Sequence, residues 1–499
     1  MKIPLNILFL AAEADPFVKV GGLGDVAGSL PLALHSLSEQ RSPREPTATP
    51  ALDIRLVIPF HKAIRDQTWP LRSAAAFHIA HSGGPIPVEV YETNLDGLLV
   101  YLVSSDLITE DDNIYHADAS EDGPKFTLYS LAALELARSL NWKPDVLHAN
   151  DWHTALAIYA LSLRRAKDRF FNNTLSLLGV HNMPYLGVGA GIALAPFGLS
   201  AAFGSALPWW AQDMPLPLGL LAADRIVAVS PTYAQEILTP EFGSGLHEFL
   251  QSRSQDITGI LNGLDTCRWD PTTDPVLTAN FSLDKIEART ANKAALQDEL
   301  GLPPKPQVPL LALVTRLDPQ KGVDLLPNAL RQVNDLSWQA VILGTGDPAL
   351  ENTIKSLEAV FPERLRAVIH FDPKLSRRIY SAADSILIPS RYEPCGLTQM
   401  IAMRYGCVPI AHATGGLRDT IQDYADFGHS TGFLFQDLST EGLALAIRRA
   451  LSVYEQPDLW RGLQVRGMQE DFSWESSARQ YFNLYTFLLT TLRRKRSKR

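Results

Sequence analysis

Only three cysteines, Cys267, Cys395 and Cys407, occur in the 499 residues. None belongs to a Cys-x-x-Cys pair, so neither a disulfide-stapled secreted scaffold nor a thiolate metal site is indicated, and a reducing cytoplasm fits best. No apolar run is long enough to span a bilayer. The opening stretch Met1–Leu10 resembles a weak signal peptide, with Ala12-Glu13-Ala14 as a candidate cleavage site. Pro4 and Asn6 interrupt its apolar centre, however, and it reads better as a first buried strand. Positive charge is also scarce: the net charge is −9, which argues against nucleic acid as the main partner. The one basic block, Arg493 to Arg499, reads as a solvated tail. Two familiar motifs are missing as well. Without G-x-G-x-x-G, a dinucleotide-dependent oxidoreductase is disfavoured; without H-E-x-x-H, His148 and His153 make a poor metal site.

What is present is a long chain, 46% hydrophobic, with material for two to four domains. Its organising stretch is Pro389-Ser390-Arg391-Tyr392-Glu393-Pro394-Cys395-Gly396-Leu397-Thr398-Gln399. An apolar run precedes it and an apolar-periodic run follows, which predicts strand, tight turn and helix. A helix entered through Gly396-Leu397-Thr398 offers free N–H groups and the positive end of a dipole, which suits phosphate. Glu393 can accept hydrogen bonds from sugar hydroxyls. Together these point to a sugar nucleotide, although a strand–turn–helix with one Glu is common in any α/β protein.

The first half repeats the pattern of polar clusters at strand ends. Asn6–Ala12 is a predicted strand, followed by Lys19-Val20-Gly21-Gly22-Leu23-Gly24-Asp25 and a helix to about Leu37. Glycines there let backbone approach a ligand, and Lys19 adds a point charge; a plain tight turn is the alternative. Strand Asp53–Pro59 and a hairpin, Val88–Thr93 with Leu98–Val103, come next, and residues 39–51 read as a surface loop. Phe126–Leu140 is a predicted helix. Pro144–His148 runs into Ala149-Asn150-Asp151-Trp152-His153, and Thr174–Val180 into His181-Asn182. Carboxyl ends of strands are where doubly wound sheets bind ligands. Residues 187–219 show little periodicity, and Trp209-Trp210 would either stack on sugar rings or fasten the loop to the core.

After strands Arg225–Ser230 and Asp256–Leu261, prolines and a helix, Leu283–Leu300, mark a boundary near residue 263. A second alternating series follows: Val308–Val314, Trp338–Leu343, Ala367–Phe371, Ser385–Pro389, Cys407–Ala411 and Gly432–Phe435, with helices between. Arg316 and Lys321, five apart after the first of these strands, can converge on one anion; surface ion pairs are the alternative. The expected architecture is α/β, two Rossmann-like doubly wound domains facing a central cleft, spanning 1–262 and 263–474. A last amphipathic helix in 475–499 is expected to cross back to the first domain.

The motifs, taken in order, resemble the bacterial glycogen synthases and plant starch synthases, retaining glycosyltransferases of the GT-B fold. The matching stretches include Lys19–Val26, His148–His153, His181-Asn182, Ser230–Tyr233, Leu261–Asp265, Arg316–Gly322, Leu343–Asp347, Ser390–Gln399, Met403–Gly406 and Thr414–Thr420. This resemblance implies transfer of glucose from ADP-glucose to the 4-hydroxyl at the non-reducing end of an α-1,4-glucan, with no cofactor and no metal. It also implies roles. Arg316 and Lys321 clamp the diphosphate, helped by Lys19, Gly21 and Gly22, while Leu397 and Thr398 hold phosphate through backbone. Glu393 reads the glucose hydroxyls. His181 lies near the anomeric carbon, with Asp151 and Asn182 completing that wall. Phe371 stacks on adenine, and Asp25, Cys395 and Gly396 line the donor site.

Four positions depart from the family pattern. Leu186 stands for a glutamine, Pro217 for a lysine, His412 for an arginine and Arg377 for a histidine. They leave the phosphate clamp intact and keep open a UDP-glucose donor or a different acceptor. A non-catalytic glucan-binding relative would have lost Lys19, Arg316, Lys321 or Glu393, and all four are present.

Overall fold

The computed structural model describes residues 4–39, 51–425 and 428–492. The basic tail and nearly all of the loop read at 39–51 therefore lie outside the described residues. Two compact units make up the chain: Met1–Gly263 with Trp474–Arg499, and Leu264–Ser473.

The first unit is built on a nine-stranded sheet. In chain order its strands are β1 (Leu5–Leu10), β2 (Leu52–Pro59), β3 (Arg72–Ile79), β4 (Ile86–Leu95), β5 (Leu98–Ser104), β6 (Val146–Asn150), β7 (Leu175–Val180), β8 (Arg225–Ala228) and β9 (Ile257–Gly259). Their order across the sheet is β3-β4-β5-β2-β1-β6-β7-β8-β9. Strands from β5 to β9 pair in parallel, and β3 and β4 add an antiparallel edge. The centre is covered on both faces, so β1 and β7 read as nearly unbroken apolar runs. The β4–β5 hairpin turns at Asp96 (φ 48°) and Gly97 (φ 93°), the left-handed pair that matches strand twist. Strand β3 escaped the sequence reading because Ser73-Ala74-Ala75-Ala76 carries no β-branched signal.

The closing helix, Trp474–Phe487, lies against helix Gly22–Glu39. It sinks Trp474, Ala478, Tyr481 and Tyr485 into the core formed by Phe9, Val26, Leu30 and Ile54. Each such large side chain contributes about 1.5–3 kcal/mol by burial. The Ser477 hydroxyl anchors the helix by donating to the Leu261 carbonyl at 2.6 Å.

The second unit has a six-stranded, wholly parallel sheet: β10 (Leu310–Val314), β11 (Gln339–Leu343), β12 (Leu365–Val368), β13 (Ser385–Ile388), β14 (Val408–His412) and β15 (Phe433–Phe435). The order is β12-β11-β10-β13-β14-β15, which reverses direction between β10 and β13. In the first unit the same reversal falls between β1 and β6. Loops leaving the carboxyl ends of such neighbours splay apart and open a crevice.

Several predicted bounds shift. β12 ends at Val368, so Phe371 lies in the following loop. The helix expected over Leu283–Leu300 is a 3₁₀ segment, Leu283–Ala288, kinked within itself where Lys285 leaves helical geometry, followed by an α-helix, Arg289–Glu299. The helix read from Phe126 starts at Ala119, capped by Asp118, whose carboxylate accepts the Ser120 N–H. Residues 187–219 contain short 3₁₀ turns and the start of a helix, Pro215–Ala222.

Candidate active site

In the second unit the site is assembled by the loops after β10 and β13. Gly322 (φ 65°) lets the first loop touch the second: a Cβ there would lie 1.9 Å from the Pro389 carbonyl oxygen. Gly415 (φ 43°) does the same beneath Glu393, whose carbonyl oxygen would be 2.0 Å from an added Cβ. Held this way, Lys321 Nζ donates to Glu393 Oε2 at 2.7 Å, and the Ser390 hydroxyl donates to the same oxygen at 2.9 Å. Arg316 turns elsewhere. Its Nε donates to Asp318 Oδ2 at 2.8 Å, and its side chain is 65% exposed. Both cations expected to converge on an anion are thus paired with carboxylates of the chain. A recess of about 20 Å³ lies at the strand ends, lined by Thr315, Lys321, Ser390, Glu393 and Thr398.

Around it, Gly396 takes a left-handed conformation (φ 73°), and Cys395 is buried and not disulfide-bonded. Gln399 closes the turn, its Nε2 donating to the carbonyls of Cys395 and Gly396 at 3.0 Å each. Leu397 and Thr398 open the helix Thr398–Arg404, as the sequence predicts. Phe371 is 81% exposed, an aromatic ring with no protein surface covering it. Of the departing residues, His412 joins the site loop through its Nδ1, 2.8 Å from the Ser390 carbonyl oxygen. Arg377 is structural: it donates to Asp274 Oδ2 and to the Arg268 carbonyl at 2.8 Å and lies over the Trp269 ring.

The first unit gathers its polar groups after β1, β6 and β7. Asp151 begins the helix Asp151–Arg165 with φ 54°, a left-handed value that a non-glycine residue holds only under constraint. The constraint is visible: its carboxylate accepts the His181 N–H at 2.7 Å and also the Asn182 N–H. Burial pushes the Asp151 carboxyl up to about 7, against the pull of those two amides. His181 Nε2 lies 2.9 Å from Asn150 Oδ1, and desolvation lowers its ring to about 4, so it is neutral at pH 7. An amide oxygen as partner requires Nε2–H, which leaves Nδ1 as an acceptor. Asn182 Oδ1 is buried and has no hydrogen-bond partner among the described residues.

His148 does not join this group. Its Nδ1 meets the Tyr485 hydroxyl at 2.7 Å in the core, and burial depresses it to about 3. His153 packs on Tyr115, with ring centroids 4.7 Å apart. Among the described residues, Asp111, His116 and Asp122 could hold a metal ion by geometry. The Lys125 ammonium already sits there, 2.8 Å from Asp111 Oδ2 and 2.7 Å from Asp122 Oδ1. In the glycine-rich turn Lys19 Nζ pairs with Asp25 Oδ1 at 2.6 Å, and Gly21 and Gly22 are exposed. The sequence reading missed Glu13, a buried carboxylate that accepts the Val20 and Gly21 N–H groups. Its signal was an acid directly after the apolar β1 run. Leu186 and Pro217 are both buried apolar side chains, whereas Trp209 is exposed and Trp210 half-buried beside Gly245.

Comparison with known proteins decides the family. A family model for the starch synthase catalytic domain matches residues 6–252, and one for group 1 glycosyl transferases matches residues 297–461. The glycogen synthase of Syntrophotalea carbinolica is 38% identical over 488 residues, covering 96% of this chain and 98% of the relative. The chain belongs to the glycogen and starch synthase family. The glycogen synthase of Anaeromyxobacter dehalogenans, at 39% identity over 97% of this chain and 99% of its own, agrees. The catalytic domain of starch synthase IV from Arabidopsis thaliana, solved with ADP and acarbose, superposes with a TM-score of 0.85. It is 32% identical and covers 98% of this chain and 100% of its own. Sucrose-phosphate synthase from Thermosynechococcus elongatus, 21% identical with a TM-score of 0.58, shares the GT-B fold. As a family member the chain is a glycosyltransferase. No described helix is long and apolar enough to cross a membrane.

Proposed function

We propose that the chain transfers glucose from ADP-glucose to the 4-hydroxyl at the non-reducing end of an α-1,4-glucan, with retention of the anomeric configuration and without a metal. One observation carries this reading: Lys321, Glu393 and Ser390 meet at the carboxyl ends of β10 and β13, where the strand order reverses. A cation beside a carboxylate matches a donor that is anionic at its diphosphate and rich in hydroxyls at its sugar. ADP and acarbose in the starch synthase IV structure support the same donor and acceptor classes.

In this reading Lys321 and Arg316 leave their carboxylate partners for the diphosphate. They stabilise the negative charge that grows there as the C1–O bond breaks, the work a metal ion does elsewhere. The Leu397 and Thr398 amides contribute alongside them. Glu393, released, accepts hydrogen bonds from the glucose hydroxyls, and Phe371 stacks on adenine. Cys395 and Gly396 shape the turn, with no nucleophilic role assigned to the thiol. His181 serves beside the anomeric carbon because it is neutral: an imidazolium would repel the positive charge developing on the sugar. Asp151 fixes the His181 and Asn182 backbone, and Asn182 Oδ1 is free to accept a sugar hydroxyl. Lys19, Asp25, Gly21 and Gly22 are assigned to donor binding on the family resemblance of the glycine-rich turn. Three cysteines outside any disulfide, two of them buried, suit a cytoplasmic setting.

The test is competition between ADP-glucose and UDP-glucose for transfer to glycogen, with NMR of the new linkage. ADP-glucose preference and an α-1,4 bond are expected. A β-linked product would refute retention, and UDP-glucose preference would refute the donor assignment.

A further inference from the structure

The glycine-rich turn is expected to lay its backbone along a diphosphate, yet its amides point inward. Glu13, 2% exposed, takes them. Its carboxylate accepts the Val20 N–H, and the Gly21 N–H reaches both of its oxygens, at 3.3 and 3.2 Å. The Gly24 N–H and the Tyr115 hydroxyl also favour its ionised form. Successive backbone N–H groups of a turn form an anion-binding concavity. Here the chain's own carboxylate fills it, directly ahead of the helix Gly22–Glu39 and its positive end.

The arrangement is braced from behind. Tyr115 is half-buried and packs on the His153 and Phe126 rings, with centroids 4.7 and 6.2 Å away. The loop that bears Tyr115 is fastened by Lys125 Nζ, which donates to Asp111 Oδ2 at 2.8 Å and to the Asn113 and Ile114 carbonyls at 3.1 Å. In front, the stem of Lys19 and Glu13 Oε2 close on Gly24, where an added Cβ would meet them at 3.0 and 3.1 Å. Outward, the turn presents Lys19, Gly21 and Gly22.

We propose that Glu13 is a positioning residue: a buried anion that occupies the amide nest of the glycine-rich turn, so that the turn offers Lys19 and Gly22, and not the Val20 and Gly21 amides, to the donor's diphosphate. This rests on the sugar-nucleotide reading above. An incoming phosphate would have to expel the buried carboxylate to reach those amides. It is met instead by Lys19, which has only an exposed pairing with Asp25 to give up. A carboxylate suits position 13 because both of its oxygens accept from N–H groups. Glutamine would turn an N–H₂ group toward N–H donors, and alanine would leave the nest empty.

The experiment measures transfer kinetics, ADP affinity by calorimetry and thermal stability for wild type, Glu13→Gln, Glu13→Ala, Lys19→Ala and the double variant E13Q/K19A. A misplaced turn should lower kcat/KM by on the order of 10- to 100-fold in Glu13→Gln. Because Glu13 acts through Lys19, E13Q/K19A should be no slower than Lys19→Ala alone, whereas generally damaged folding would add to it. ADP should bind Glu13→Ala no more tightly than wild type. Should Glu13→Ala fold poorly, Tyr115→Phe removes the hydroxyl that favours the ionised carboxylate and should show a smaller loss with the same non-additivity. Tighter ADP binding by Glu13→Ala would show that the nest serves the diphosphate, and additive losses or wild-type rates in Glu13→Gln would equally overturn the proposal. A wild-type protein that transfers from neither donor would instead refute the functional reading.

Discussion

In the Leu264–Ser473 unit the site's charges neutralise one another in pairs, Lys321 with Glu393 and Arg316 with Asp318. In the first unit the corresponding groups are desolvated and held near neutrality, Asp151 raised to about 7 and His181 lowered to about 4. The difference teaches what each set is for. Arg316, 65% exposed, gives up Asp318 at little cost, whereas Lys321 and Glu393, 20% and 12% exposed, part only when a phosphate and sugar hydroxyls replace both partners, which suits selective binding of a nucleotide diphosphate sugar. Buried, strained and nearly neutral groups respond to charge that develops during reaction, where low dielectric enlarges every interaction.

Breaking the pairs should have the largest consequence. Glu393→Ala is expected to lower kcat by about 10³-fold, the upper range for loss of one positioned polar group, with a modest loss of ADP affinity. Equal losses in both would place Glu393 on the nucleotide. Lys321→Ala and Arg316→Ala should each cost roughly 2.7–4 kcal/mol in kcat/KM. A variant with near wild-type rates would remove that residue from the clamp, and Arg316, already turned to Asp318, is the more demanding case.

The buried set is sharpened by pH. If the Asp151 carboxylate is the active form, kcat/KM should rise through about pH 7, and Asp151→Asn should flatten that limb. Stability should move the other way. A carboxyl raised in the fold favours its neutral form, so its contribution is complete below the ordinary value of 3.8 and is lost as pH rises through about 7. Urea midpoints from pH 4 to 8 should fall in wild type more than in Asp151→Asn; parallel curves would contradict the assignment. Smallest of all, Phe371→Ala should cost about 0.5–1.5 kcal/mol, the worth of an aromatic stack, seen in the ADP-glucose KM and not in kcat. An unchanged KM would leave the exposed ring without a donor role.

Much of this was legible in the residues. The alternation of apolar runs with polar strand ends announced two doubly wound sheets, and the turn Ser390–Gln399 announced its own strand–turn–helix. Pairings distant in sequence were not legible. Lys321 reaches Glu393 only because β10 and β13 are neighbours, and Asp151 takes the His181 amide only because β6 lies beside β7. The His148–His153 cluster looked like one site, but strand and helix geometry send His148 to Tyr485 and His153 to Tyr115. Glu13 went unread because its partners are backbone N–H groups, which carry no side-chain signature.

The most direct test of the central claim is label transfer from ADP-[¹⁴C]glucose into glycogen, in the presence of EDTA, by wild type and by Glu393→Ala. The account predicts full incorporation by the first and almost none by the second. Incorporation that EDTA abolishes, or that survives in Glu393→Ala, would contradict it.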